Sequence, residues 1–401
     1  LWVKPLIFCL ISVGAALMAH QADKTGLNEL VPDIKTTVIE RLLNIISSSM
    51  LVISTFSVTS MLSAFSSASN SATPRSFKIV VTDDVSQYAL STFIGAFIYS
   101  IVATVALNYG YYGKAGKFIL FLLTLILFAL VILTFLRWVD RISRLGRLEH
   151  TINQVEVVTK VALSNYVKST TLNGLAISDD TPKGLSIFGD AIGYVQHVNM
   201  YALQDLAEES DIQIRLQCIP GKFIHENSKI AYVTSNGTID LTNITKKIND
   251  AVEIGHTRLF DEDPRFGFIT LSEIASRALS PGVNDPGTAI QIIGTIERLL
   301  FLWNETREAN VETTYNRIQV PEIAMIDFFD DAFRPISRDG ANNIEVMLRL
   351  QKTFNALETI PNSEIKKGAL KYSQYAYESA ESSLILELDR ELLKKSCLYK
   401  P

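Results

Sequence analysis

Four long apolar stretches dominate the first third of the chain and predict helices that cross a membrane. They occupy residues 5–20, 38–67, 88–108 and 117–138. One helix needs about 20 apolar residues to cross the hydrocarbon core, and the fourth stretch is almost unbroken Leu, Ile, Phe and Val. The second stretch is rich in hydroxyl groups, so it crosses only if those groups find hydrogen-bond partners. We therefore expect a four-helix transmembrane domain over residues 1–139.

The first stretch is the shortest, and two interpretations of it are open. It follows Lys4 and precedes the small residues of Ala19-His20-Gln21-Ala22. That is also the pattern of a cleaved signal peptide. We treat it as a retained span, which makes the number of spans even and places both ends of the chain on one side of the membrane.

Basic residues set the expected orientation. Basic residues cluster at the end of the fourth stretch and directly after it, and they are Arg137, Arg141, Arg144 and Arg147. Because Lys and Arg are enriched on the cytoplasmic side, the N-terminus and everything after the fourth span should be cytoplasmic. The same arginines have two interpretations: a collar that attracts anionic lipid headgroups, or, in an oligomer, a ring around a vestibule that favours anions.

After the fourth span the pattern changes twice, so the expected fold class is mixed. We expect a connecting helix over residues 140–173, a small α+β or β-barrel-like module over 174–241, and a helical cytoplasmic domain over 242–401. Short strand-like runs interrupted by one helix mark the module. The helical region should be broken at prolines, which are Pro264, Pro281, Pro321, Pro335 and Pro361.

The hydroxyl-rich second span is the most informative membrane segment. At about 100° per residue, a set of polar residues falls in one broad sector of the helix. We treat these residues as pore-lining candidates, and they are Asn44, Ser48, Thr55, Thr59, Ser63 and Ser66. One interpretation is close helix packing, with hydroxyls bonded back to carbonyls one turn earlier. The other is a water-lined path around a symmetry axis, with hydroxyls replacing part of an ion's hydration shell.

Composition narrows the function. Of 401 residues, 48% are hydrophobic and only 20% charged, and 37 basic against 42 acidic residues give a net charge of −5, which excludes a basic nucleic-acid binder as the default. Cys9, Cys218 and Cys397 form no CxxC pair, and the five histidines show no metal-binding spacing. Glycine-rich nucleotide motifs and nucleophile motifs are also missing. We expect no cofactor, no metal and no catalytic residue; an enzyme is uncertain, and the pattern favours a protein that is not one.

Two polar runs in the cytoplasmic part are the candidate ligand site, Arg258–Gly267 and Arg277–Thr288. Preferences of residues at helix ends explain most of the residue types in the second run. A helix ends near Ser280, Gly282 takes a left-handed conformation, and Asn284 or Asp285 caps a helix that begins at Pro286. The alternative is an anion site at that helix N-terminus, and its candidate residues are Arg258, Arg265, Arg277, Ser280, Asn284, Asp285 and Thr288. A hard-cation site formed by Asp261, Glu262, Asp263, Asn284 and Asp285 is a weaker third interpretation.

The run Arg-Ala-Leu-Ser-Pro-Gly-Val-Asn-Asp-Pro, residues 277–286, resembles the signature R-A-L-S-P-G-[IV]-N-D-P. That signature marks an uncharacterised family of bacterial multi-pass membrane proteins with a domain of unknown function. The resemblance implies a bacterial inner-membrane protein, and it brings no substrate, cofactor or catalytic residue with it. The chain departs from the usual pattern of this family at Leu259, Glu262 and Gly287.

These patterns favour an oligomeric inner-membrane protein. We expect a homo-oligomer in the lipid bilayer that forms an ion or small-solute channel along the second helix, with the cytoplasmic region as assembly and gating unit. The alternative is a membrane-anchored sensor or scaffold. Its partner would be an anionic small molecule or lipid headgroup bound at the Arg277–Thr288 corner.

Overall fold

Apolar helices form the first of two units into which the chain divides, Leu1–Thr151 and Ile152–Pro401. The computed structural model describes residues 3–24, 29–71, 73–76, 84–145, 147–177, 184–235, 237–305 and 313–399. The first unit contains α1 (Val3–Met18) with a 3₁₀ turn at Ala19–Lys24, α2 (Thr36–Ser71), α3 (Asp84–Asn108) and α4 (Lys114–Leu145). All four expected spans are therefore helices, each long and apolar enough to cross a membrane.

The central helix of the first unit is α3, which packs against α1, α2 and α4. Its Ala89, Ala96 and Ala103 are buried at a spacing of two helical turns, and such small residues let neighbouring helices approach closely. One pair of polar groups in this core joins two helices: the Tyr99 hydroxyl lies 3.1 Å from the Thr124 hydroxyl of α4. Hydroxyl pairing of this kind lets an apolar bundle contain polar side chains.

The segment between the apolar helices and the first strand contains two helices and not one. We expected one connecting helix over 140–173; instead α4 ends at Leu145 and α5 spans Leu148–Lys168. Arg147 between them is not helical, and residue 146 lies outside the described part of the chain. The residues of α5 from Ile152 onward belong to the second unit.

Two sheets form the first layer of the second unit. Their strands are β1 (Gly174–Ala176), β2 (Leu185–Phe188), β3 (Gly193–Val198), β4 (Ile212–Leu216), β5 (Phe223–Ile224), β6 (Lys229–Ser235), β7 (Val252–Gly255) and β8 (Tyr315–Val320). The five-stranded sheet has the order β1-β8-β4-β6-β2, and the three-stranded sheet has the order β5-β3-β7. Two helices, α6 (Met200–Glu209) and α7 (Leu241–Asp250), cover a core of mainly Ile, Val and Leu.

Two of these strands lie in the region that we expected to be helical after residue 242. The strand β7 pairs with β3, and β8 lies between β1 and β4, parallel to both. Only Ile318 and Val320 of β8 are buried, so its alternation is too short to indicate a strand. Pairing with two strands that are distant in sequence stabilises β8. The hydrophobic pattern within β8 itself cannot predict such pairing.

Six helices complete the second unit: α8 (Pro264–Ala278), α9 (Pro286–Glu305), α10 (Met325–Asp339), α11 (Ile344–Glu358), α12 (Ser363–Glu381) and α13 (Glu387–Ser396). Their core is aromatic, with Phe268, Phe328, Phe333, Phe354 and Tyr372 almost fully buried. Prolines lie at or between helix ends as expected, except at one position. Pro335 lies inside α10, although an interior proline removes one helical hydrogen bond.

Candidate functional site

The polar side chains of α2 that we expected to line a path all lie on one exposed face. Asn44, Ser48, Thr55, Thr59, Ser63 and Ser66, here called the hydroxyl stripe, are exposed within their own unit. The opposite face of α2 is buried, with Leu43, Ile46, Met50, Ser57 and Met61 in the interior, and α2 packs against α3 and α4. The hydroxyl stripe therefore points away from the bundle to which it belongs.

Three hydroxyl groups of the stripe donate hydrogen bonds to carbonyls of their own helix. Ser48 donates to the Asn44 carbonyl at 2.8 Å, Thr55 to the Leu51 carbonyl at 3.0 Å, and Thr59 to the Thr55 carbonyl at 3.1 Å. Such back-bonding satisfies the proton donor but leaves oxygen lone pairs that can accept a further bond. The stripe is thus compatible with an apolar environment and still offers acceptors to a polar one.

The C-terminal half of the stripe forms one wall of an open groove of about 540 Å³. Thr59, Ser60, Ser63 and Ser67 of α2 line it. From the other side come Ser143 of α4 and Arg147, which follows α4. Hydroxyl groups and one cation from the basic run after the fourth span therefore meet in the same groove.

The corner between α8 and α9 is organised by helix capping. Asp285 precedes α9 and accepts hydrogen bonds from the Thr288 backbone N–H at 3.1 Å and from the Thr288 hydroxyl at 2.6 Å. These bonds, led by the one from the Thr288 hydroxyl, lower the pKa of the Asp285 carboxyl. The left-handed residue is Asn284, with φ of 50°, and not Gly282 as we expected. The helix N-terminus is thus occupied by a carboxylate of this chain, which favours capping over anion binding there.

Arg277 and Ser280 occupy the same corner. The Ser280 hydroxyl donates 2.7 Å to the Arg277 carbonyl. The Arg277 guanidinium is exposed, and among the described residues it forms no ion pair. Because α8 rises about 1.5 Å per residue, Arg277 near its end lies roughly 18 Å along the helix from Arg265 in its first turn. The seven candidate ligand residues therefore divide into two groups.

Arg258 belongs to the other group and is fixed by a buried carboxylate. Its Nε and Nη2 donate to Asp263 at 2.5 and 2.9 Å, and Asp263 is only 2% exposed. Asp263 also caps α8, because its Oδ1 accepts from the Phe266 N–H at 3.2 Å. Gly221 packs on this pair: with φ of +90°, an added Cβ would lie 2.4 Å from Asp263 Oδ2. Only glycine fits this contact.

Arg265 is held by two carboxylates of α10. Its Nε and Nη2 donate to Asp331 at 2.7 and 3.2 Å, and its Nη1 donates to Asp327 at 3.3 Å. Burial raises the pKa of the Asp331 carboxyl, and the hydrogen bond and charge of Arg265 oppose that increase. Burial alone would lower the pKa of Arg265, but its hydrogen bond to Asp331 and the charges of the nearby aspartates raise it overall. Arg265 therefore stays charged in a fixed orientation.

Arg258 and Arg265 both line a cleft of about 610 Å³ in the second unit, here called the basic cleft. The charged residues that line it are Arg215, Lys222, Arg258, Arg265, Glu322 and Asp327. The uncharged lining residues are Ile177, Gln217, Ile219, Pro220, Gly221, Pro321 and Ile323. None of the corner residues Arg277, Ser280, Asn284, Asp285 and Thr288 is among them.

Sequence reasoning missed most of this cleft. Arg215 and Lys222 lie on either side of Pro220 and Gly221, in the module where the sequence gave no candidate ligand residue. Asp327 belongs to a helix about 60 residues beyond Arg265 in the chain. The residues considered for a hard cation are engaged differently: Glu262 Oε1 lies 2.5 Å from His197 Nδ1, and Asp263 binds Arg258. Over the described ranges, His, Cys, Asp and Glu form no cluster that could hold a metal ion.

A family model extends over most of the chain. The family described as "Predicted membrane protein (DUF2254)" matches residues 1–356. The chain belongs to this family. This match confirms the expectation of a membrane protein from a family with a domain of unknown function, and the four apolar helices of the first unit agree with it.

Two mycobacterial proteins share a shorter segment with this chain. An uncharacterized protein of Mycobacterium bovis and one of Mycobacterium tuberculosis are each 32% identical to it over 104 residues. That segment covers 25% of this chain and 20% of each relative, so the match spans about a fifth of their length. No solved structure matches the chain.

Proposed function

We propose that this protein is a homo-oligomer of the bacterial inner membrane in which copies of α2 surround a polar path for an ion or a small solute. The observation that carries the proposal is the direction of the hydroxyl stripe. Its six polar side chains are exposed on the face of α2 opposite the buried one. Exposed Leu51, Val52 and Leu62 share this face, and in a membrane the polar groups among them are best covered by another protein surface or by water.

The nature of the spans favours passive conduction over a proton-coupled pump. In the sequence, no Asp, Glu, Lys or His lies in the middle of any span. Proton relays through membranes are built from such ionisable residues. Hydroxyl oxygens supply instead the neutral acceptors that can replace part of the hydration shell of an ion.

The expected orientation puts the groove at the cytoplasmic end of this path. The end of the fourth span carries Arg137, Arg141, Arg144 and Arg147, and the positive-inside rule assigns that end to the cytoplasm. Arg147 lines the open groove of about 540 Å³ together with Thr59 and Ser63 of the stripe. In an oligomer, a ring of such arginines would favour anions at the mouth. The second unit would then be cytoplasmic, where we assign it the role of assembly and gating.

Single-channel recording in planar bilayers tests conduction. We expect discrete currents from the purified full chain and a severalfold lower conductance for the double variant T55V/T59V, which keeps the side-chain shape and removes both hydroxyls. The matched control is Ile126→Val, because Ile126 is an exposed apolar residue of α4 and its change removes no polar atom.

Two results would contradict the proposal. One is a monomeric mass by native mass spectrometry together with silence under voltage and membrane tension. The other is a wild-type conductance in the double variant, which would place the path elsewhere. A loss of current in the Ile126→Val control as well would show that the hydroxyls are not the cause.

A further inference from the structure

We propose that α13 is the surface through which the second units of two copies of this chain meet, and that it packs antiparallel against α13 of the second copy. The apolar part of this contact would consist of Ile385, Leu386, Leu388 and Leu392. The inference rests on the proposed homo-oligomer and names one of its interfaces. It does not depend on whether a solute passes along α2.

Four large apolar side chains are exposed in and directly before α13. Ile385 is 91% exposed, Leu388 76%, Leu386 63% and Leu392 48%. A single exposed leucine is normal on a protein surface, but several close together on one short segment indicate an interaction site. All four belong to the second unit and lie outside the candidate spans, so lipid around those spans does not explain their exposure.

The opposite face of α13 is anchored firmly. Leu393 is fully buried, and the Asn355 side chain of α11 donates to the Ser396 carbonyl at 2.9 Å. Directly before the helix, Nε and Nη2 of Arg390 donate to the Leu384 carbonyl at 2.8 and 2.6 Å. The outer face is therefore presented in a fixed orientation, which lowers the entropy lost when a partner docks.

The outer face combines apolar and charged side chains. Residues three and four positions apart are neighbours on a helix, so Leu388, Glu391, Leu392 and Lys395 form one strip, and all four are exposed. Over the described ranges, neither Glu391 nor Lys395 forms an ion pair. One edge of the strip thus carries an acid and a base whose charges are available to a partner.

The net charge of α13 favours a protein partner over a membrane surface. The helix carries three acidic and three basic side chains, which are Glu387, Asp389, Arg390, Glu391, Lys394 and Lys395. Helices that lie on anionic membranes are usually rich in Lys and Arg on their polar face. Because the charges of α13 cancel, attraction to anionic lipid does not explain its exposed leucines.

The order of the charges favours a second copy in the antiparallel direction. Acidic residues begin the helix and Lys394 and Lys395 end it, an order that also suits its own dipole. An antiparallel pair places the acidic end of each helix beside the basic end of the other, whereas a parallel pair brings like charges together. Because a two-fold axis repeats every contact, Glu391 of each copy lies beside Lys395 of the other.

The contact is small, and a shared membrane compensates for its size. Stable complexes of soluble proteins bury about 800 Å² per partner, which is more than the outer side of one ten-residue helix offers. Copies held in one bilayer by their spans meet at a raised effective concentration. We therefore expect the pair in the membrane-bound full chain.

Photo-cross-linking of the purified full chain, in liposomes that contain phosphatidylglycerol, tests the pairing. The photoreactive residue p-benzoylphenylalanine replaces Leu392, so irradiation marks whatever covers this position. We expect a covalent dimer in which mass spectrometry finds residue 392 joined to α13 of the second copy. In the matched control the same photoreactive residue replaces Leu370, an exposed leucine of α12, and the dimer yield should be severalfold lower.

Reversal of the charges tests the antiparallel direction. Glu391→Lys and Lys395→Glu should each lower the dimer yield severalfold, because each places like charges together at both symmetry-related contacts. The double variant E391K/K395E restores opposite charges and should recover the yield. Lys246→Glu makes the same change of charge at an exposed position of α7 and should leave the yield unchanged.

Three results would overturn the pairing. They are cross-links from position 392 to lipid or to another segment of the chain, no dimer at all, and a double variant with a yield as low as that of the single variants. Recordings in planar bilayers separate this inference from the proposed path. Currents without the cross-link would defeat the pairing alone, and the cross-link without currents would defeat the path alone.

Discussion

Gly221 is the residue at which the fold and the basic cleft depend most directly on one backbone conformation. Its φ of +90° and the 2.4 Å that would separate an added Cβ from Asp263 Oδ2 both exclude other side chains. Gly221→Ala should lower the free energy of unfolding by at least about 1–2 kcal/mol from backbone strain alone. Urea titration of the detergent-solubilised full chain, followed by circular dichroism, measures this change.

The control for this variant is Gly282→Ala. Gly282 has no atom within 4 Å of an added Cβ, and its φ is not positive. The same methyl group should therefore change the unfolding free energy by only a few tenths of a kcal/mol. If both alanine variants unfold like the wild type, then the close packing of Gly221 on Asp263 has no energetic weight.

The stabilising effect of the Asp285 cap should depend on pH. Hydrogen bonds from Thr288 lower the pKa of its carboxyl, so the ionised form stabilises the folded chain. That stability is fully present above the unfolded-state pKa of about 3.9, and it is lost as the pH falls through the lower folded-state pKa. Asp285→Ala should cost about 1 kcal/mol at pH 7, which is typical of a lost N-cap.

Thermal unfolding at several pH values measures the effect of Asp285. The difference between wild type and Asp285→Ala should shrink below pH ~4, where the carboxyl becomes protonated. Asp285→Asn is the matched variant, because asparagine also caps helices but does not titrate. A difference between wild type and alanine variant that stays constant down to pH 2 would show that the ionised carboxylate is not the stabilising form.

The sequence pattern predicted the corner between α8 and α9 well, except for which residue adopts the left-handed conformation. Pro286 as the first helical residue and Asp285 as the cap follow from local rules, and both are observed. Glycine is the usual left-handed residue after a helix, which is why we expected Gly282 in that role. Asn284 adopts it instead, and asparagine is among the few other residues that tolerate this conformation. Local rules thus identify the turn but not which of two permissive residues makes it.

At the level of elements, β8 is an interior strand of the five-stranded sheet and joins β1 to the central strand β4. Ile318 is fully buried, and β8 pairs with β1 on one side and β4 on the other. Ile318→Ala should lower the free energy of unfolding of the second unit by about 2–5 kcal/mol, the usual cost of removing a large aliphatic side chain from a core. Urea titration with a hydrogen-exchange readout of β4 and β6 measures the loss.

Glu253→Ala is the control for the β8 variant. Glu253 is an exposed residue of the three-stranded sheet, so its removal should change stability by less than about 0.5 kcal/mol. Wild-type hydrogen-exchange protection of β4 in Ile318→Ala would contradict a stabilising role of β8 in this sheet.

Elements with a strong period of their own were predictable, and elements that depend on distant partners were not. The four apolar helices follow from hydrophobic spacing and are observed, and residues 174–241 contain short strands interrupted by one helix, α6, as expected. The strands β7 and β8 were missed. So was the basic cleft, because its wall joins the Pro220-Gly221 turn to Arg258 and to α10, and only tertiary packing brings these segments together. Sequence identified Arg258 and Arg265 as ligand candidates but grouped them with Arg277, which lies at the other end of α8.

At the scale of the whole molecule, the two units offer two separate polar features, each within its own unit. The proposed path requires a second copy beside the hydroxyl stripe, whose six residues are exposed within their own unit. The basic cleft is complete within one chain. A variant of the stripe should therefore alter the proposed path and leave the basic cleft unchanged, whereas a cleft variant should leave the proposed oligomer intact.

Disulfide cross-linking between copies gives the strictest test of where α2 lies in the assembly. In a background with Cys9, Cys218 and Cys397 replaced by serine, Thr55→Cys should form a covalent dimer in membranes treated with a mild oxidant. Residues on a face turned to a symmetry axis meet their equivalents in other copies. Ser57→Cys is two positions away on the same helix, but its side chain is fully buried against the bundle, so it should remain monomeric. Dimers from Ser57→Cys alone, or from neither variant, would remove α2 from the axis and with it the hydroxyl-lined path.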